Sequence, residues 1–126
     1  MGLLVQILEH IHVVDRIFQH HLQGLPHTYE APRSPVPPPF EMLAEHMSQT
    51  GEWYANYARN LAPEALDDTA HFVFTSRKPA QMTRAQILLH VCFHGSYHRG
   101  NAGAVLQLRG LTPGHDAITD YLEMAA

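Results

Sequence analysis

The chain has 126 residues, 45% hydrophobic and 16% charged, with a formal net charge of −4 and a single cysteine. That length suits one domain with an ordinary core. The acidic balance offers no basic stripe for nucleic acid, a lone Cys92 forms no internal disulfide, and no apolar run reaches the roughly 18 residues of a membrane span. The expectation is a cytoplasmic protein with no nucleic-acid or membrane partner.

The predicted elements are helices. From Leu3 to Gln23, Leu3, Ile7, Val14, Ile17 and Phe18 recur at helical spacing, and Gly24 with Pro26 ends the segment. His20 and His21 fall in its last turn, where positive charge suits the helix dipole. "APRSPVPPPF" (31–40) holds five prolines and reads as an extended connection. A second helix is predicted from Phe40 to Leu61, with Leu43, Met47, Thr50, Tyr54, Tyr57 and Leu61 on its inner face. Residues 70–82 read as an extended crossover, with room for one short hairpin. Thr83 offers an N-cap for a third helix, Arg84–Leu108, closed by Gly110 and Pro113. Asp116 is placed to cap a last short helix, "AITDYLEM".

Eleven histidines are many for this length. His90, His94 and His98 stand at every fourth position of the third helix. Its inner stripe runs Ile87, Val91, His94, His98, Val105, Leu108, so two imidazoles occupy places suited to leucine or valine. In the first helix His10 lies between Ile7 and Val14 on the apolar stripe. Burying an imidazole without partners costs roughly 1–3 kcal/mol. A core histidine is ordinarily satisfied by a hydrogen bond, and a metal ion is the other compensation. Residues i and i+4 are offset by about 40° and about 6 Å along the axis, so two such nitrogens converge on one ion at about 2.0–2.1 Å. His90 and His98 are about 12 Å apart along the axis, which forces a choice of one adjacent pair. The more central His94 and His98 are chosen, with His10 giving the third nitrogen. His12, His27, His46, His71 and His115 read as surface or loop residues, and Cys92 as a small buried hydrophobe.

"LLHVCFHGSYHRGNAGAVLQLRGLTPGHDAITDYL" resembles the last helix and tail of the DinB-like (YfiT-like) proteins, and "LEHIHVVDRIF" resembles their earlier histidine-bearing helix. The resemblance spans about residues 4–122. It implies an all-α, DinB-like helical bundle, with a Pro-rich loop and a short extended crossover in this chain, and a divalent-metal site on His10, His94 and His98. Such families place one more helix ahead of the His10 segment, which is lacking here, so either the chain start is truncated or mis-called or a neighbouring copy completes the core, and a homo-oligomer is the expectation. Three imidazoles with open positions favour zinc or nickel. The implied chemistry is transfer of a low-molecular-weight thiol, or metal-assisted hydrolysis, on a small-molecule substrate. The alternative is a metal-binding bundle without turnover. Asp15 is a candidate to orient a ligand imidazole, or else an ion-pair partner of Arg16 or Arg99.

Overall fold

A computed structural model describes residues 2–125. Helix α1 (Gly2–Gln23) is the axis of the molecule. Leu4, Ile11, Val13, Val14, Ile17, Phe18 and Leu22 are all buried, a band too wide for one partner, and α1 packs against α2, α3 and the strands. Its C-terminus closes as a Schellman motif: the Gly24 N–H donates to His21 O and the Leu25 N–H to His20 O. The motif needs a left-handed residue, and Gly24 supplies it at φ +67°.

Residues 25–39 form a strap without helix or strand. Helix α2 (Phe40–Asn60) follows and buries Leu43 and Thr50 against α1. Ala62 is extended, as a residue before proline must be. After one 3₁₀ turn (Pro63–Asp67), strands β1 (Thr69–Val73) and β2 (Pro79–Thr83) pair antiparallel, with Ala70 opposite Met82 and Phe72 opposite Ala80. Those four residues turn toward the helices while their neighbours face outward. The hairpin admitted by the sequence is thus present, and its inner face extends the core of Val14, Phe18, Leu22 and Ile87.

Helix α3 (Arg84–Leu108) begins with a capping box: Thr83 Oγ1 accepts the Gln86 N–H, and Gln86 Oε1 accepts the Thr83 N–H. Arg84 then joins α1, α2 and α3, its Nη1 donating to Leu22 O at 2.8 Å and to Tyr57 Oη at 2.5 Å. Gly110, at φ +76°, ends α3 with the same motif that ends α1. A short α4 (Ile118–Ala125) closes the described chain. Among the described residues no helix is long and apolar enough to cross a membrane.

Several expectations need correction. Leu3 is 59% exposed, and Leu4 and Ile11 fill the core instead. Leu108, the last residue of α3, is 88% exposed. Gly95 and Ala102 join Ile87 as the buried residues of α3, and the space a Cβ at Gly95 would need is taken by the Arg99 guanidinium. Cys92 is exposed rather than buried, on the outer face shared with Leu89, Phe93 and Tyr97. Asp116 bonds Arg99 and is not a helix cap.

Candidate metal centre

Helical periodicity puts His94 and His98 one turn apart on the face of α3 that meets α1. His10 arrives from α1 between them. Its ring centroid is 4.9 Å from that of His94 and 4.7 Å from that of His98, and the two α3 rings are 4.6 Å apart. One nitrogen from each of the three falls within 4.8 Å of the others. His90 stands outside this group: its ring packs on Phe18 at 4.9 Å and is 5.5 Å from His94.

Hydrogen bonding fixes part of the tautomer pattern. A carbonyl only accepts, so the His10 Nδ1–H donates to Pro32 O at 2.7 Å, which leaves His10 Nε2 with a bare lone pair. That lone pair is 3.1 Å from His94 Nε2. Two nitrogens bound to one tetrahedral ion at 2.0–2.1 Å stand about 3.3–3.4 Å apart, so the observed pair fits across such an ion with a small adjustment. Without an ion, His94 Nε2–H must donate to His10, and His94 Nδ1 becomes a bare acceptor that is buried without a partner. The Asn101 amide reaches His98 Nδ1 at 3.3 Å.

The electrostatics disfavour protonation of the α3 imidazoles. Burial, and then the neighbouring His10, His98 and His90, hold His94 down to about pKa 4. His98 is lowered by burial, His10 and Arg33, and His90 by burial. No carboxylate belongs to the group among the described residues. Nitrogens that resist protonation are available as ligands at neutral pH. The donor set, with His10 locked in one tautomer, fits a divalent ion.

The orienting partner of His10 is a strap residue, Pro32, and no local pattern in the chain points to it. Pro32 is held in place through buried Glu9: Ser34 donates its N–H to Glu9 Oε1 at 2.7 Å and its hydroxyl to Oε2 at 3.2 Å. Asp15, the sequence candidate for that task, makes no hydrogen bond to the three imidazoles. Its Oδ1 is buried without a partner, and burial raises its pKa to about 7 despite the opposing charge of Arg99. Tyr54 Oη donates at 2.5 Å to the Asp15 backbone carbonyl, not to its carboxyl. Spacing brings Asp15 near α3, but on a different face from His10.

Two further groupings escaped the sequence reading. His46 is exposed, as expected, but His12 is half-buried, and their rings stack at 6.1 Å across the α1–α2 seam. They line a polar cavity of about 470 Å³ with Arg16 and Trp53. Beside the triad lies a second cavity, of about 450 Å³, with His10 and His94 in its wall. Burial, then His27 and His20, hold His21, in that wall, to about pKa 4.

No curated protein and no solved structure matches this chain. A family model does, over residues 2–126, spanning the three histidine-bearing turns, the strap and the hairpin. The chain belongs to the DinB family.

Proposed function

We propose that His10, His94 and His98 hold one divalent ion, zinc or nickel, and that the protein is a metal-dependent enzyme acting on a small molecule. The observation that carries this reading is the convergence of three imidazole nitrogens from two helices, one ring fixed by Pro32 O. Three nitrogen ligands leave positions open on the ion, the arrangement of catalytic rather than closed structural sites. Bound there, the ion supplies Lewis acidity to a water or a thiol that reaches it. The chain's own part is to orient the ligands through Pro32 and to exclude water along the apolar wall of Val14, Ile17 and Phe18. Thiol transfer and hydrolysis both follow from this chemistry, and a non-catalytic metal-binding bundle is the competing reading. Element analysis after dialysis against zinc is expected to give one ion per chain, and none with His94→Ala. Turnover of a thiol or ester substrate then separates enzyme from binding protein.

A second copy of the chain is our proposed cover for the outer face of α3. Leu89, Phe93 and Tyr97, 55%, 69% and 71% exposed, follow one another at every fourth residue with no charge between them along the stripe. Sedimentation velocity is expected to show a dimer that Phe93→Glu dissociates. A wild-type monomer at micromolar concentration would remove this proposal.

A further inference from the structure

We infer that the cavity beside the triad selects substrates whose body is uncharged and apolar, an aromatic ring above all, carried behind a single metal-binding head. The inference rests on the three-histidine reading for the head and stands on the cavity itself for the body. The cavity, about 450 Å³, is within the range of small-molecule sites. Its side walls come from α1 and β2: Val14, Ile17 and Phe18 on one side, Met82 on the other. Pro32 and Phe74 close it from the strap and the hairpin end. No lysine, arginine, aspartate or glutamate lines it, and its polar groups are imidazoles and Thr75. An ionised substituent taken into that wall would lose its hydration and find no counter-charge.

The aromatic preference comes from the geometry of the wall. The wall residues Phe18 and His21 are both braced by Phe72, outside the cavity lining: Phe18 meets it edge to face at 5.7 Å and His21 lies flat on it at 4.1 Å, so the two wall rings are held before any ligand arrives. His10 and His94 belong both to this wall and to the triad, so an ion held there would lie beside the cavity. The contrast with other cavities of the molecule supports the class. One across α1 contains Arg16, and another under the strap contains Glu9 and Arg33, so a charged small molecule has better-matched places to go.

Benzohydroxamate and acetohydroxamate share a metal-binding head and differ in the group behind it. In zinc-loaded protein, titration calorimetry is expected to show benzohydroxamate binding at least about tenfold tighter, the worth of a modest part of a buried ring. Met82→Glu puts a carboxylate at the half-buried edge of the wall, and is expected to bring that ratio near one by weakening benzohydroxamate. Ile17→Ala, a milder change, should lower the ratio if Met82→Glu folds poorly. Equal affinities for the two hydroxamates, in wild-type protein carrying one zinc, overturn the inference. If zinc does not bind at all, the three-histidine reading fails separately. The neutral fluorophore N-phenyl-1-naphthylamine then decides for the cavity in metal-free protein: binding weakened by Met82→Glu supports it, and no binding overturns it.

Discussion

Two clusters of three histidines lie along α1, and they do opposite things with their nitrogens. At one end, His10, His94 and His98 face one another, with ring centroids 4.6–4.9 Å apart. At the other, His27 is 6.2 Å from His20 and 5.3 Å from His21. The second group is nearly as crowded, yet its three rings do not bring one nitrogen each to a common point. The His20 Nδ1–H donates to Arg16 O at 2.7 Å, His27 Nδ1 accepts the Tyr29 N–H at 3.1 Å, and the His21 ring lies on Phe72. Among the described residues only the first group brings three donor atoms within reach of one ion. Ring proximity is therefore a poor guide to metal binding, and the direction of the lone pairs decides.

The largest expected effect tests this contrast directly. His94→Ala removes a ligand that α3 holds in register, and should weaken zinc binding by more than the roughly 10–100-fold typical of losing an outer-shell partner. His27→Ala, in the crowded but misdirected cluster, should leave the zinc dissociation constant within about twofold, since it touches no ligand. Competition with a chromogenic chelator measures both. Comparable losses from the two variants would mean that ion binding follows histidine density rather than geometry.

How much of this contrast the sequence carried follows from the physics of each part. The triad was legible because a helix fixes which residues share a face, and His10, His94 and His98 stand where apolar residues belong. Thr83, Gly24 and Gly110 were legible because capping and left-handed turns have local causes. The outer face of α3 was not, since Leu89, Phe93 and Tyr97 make the helix apolar nearly all round and periodicity then points nowhere. That is why Cys92 and Leu108 were expected inside and are exposed. The strap was the deepest gap. Five prolines exclude helix but leave the path open, and the bond from His10 to Pro32 depends on Glu9 and Ser34, far apart in the chain. The pairing of His12 with His46 likewise depends on how α1 and α2 are docked.

The strap supplies the next test. Glu9→Gln keeps the side chain's size but replaces the charged acceptor that holds Ser34, and charge-assisted bonds are about twice as strong as neutral ones. Pro32 O should then hold the His10 ring less firmly. Zinc affinity is expected to fall by about tenfold, at the lower edge of what orienting groups contribute, with helix content by circular dichroism unchanged. No change in affinity would show that His10 is positioned by packing between the α3 rings alone, and that the tautomer lock is incidental.

The smallest effect concerns the second cluster and acid. His21 has a folded-state pKa near 4, below the ordinary 6.5, with burial as the first cause and His27 and His20 adding to it. Between those two values the unfolded chain holds more protons at this position than the folded one, so its contribution to stability is whole above pH 6.5 and is lost as pH falls toward 4. Taken at face value the shift would be worth over 3 kcal/mol, but the ring is only half-buried, and solvent screening reduces the expectation to about 1 kcal/mol. His21→Phe keeps the stack on Phe72 and removes the titration. The metal-free variant should therefore lose about 1 kcal/mol less than the wild type between pH 7 and pH 4.5 in urea unfolding. His94 carries a similar shift, also set first by burial, and the variant leaves it in place, so an acid-sensitive remainder should persist. Only this remainder is expected to respond to zinc, because among the described residues the second cluster does not bring three donor atoms within reach of one ion.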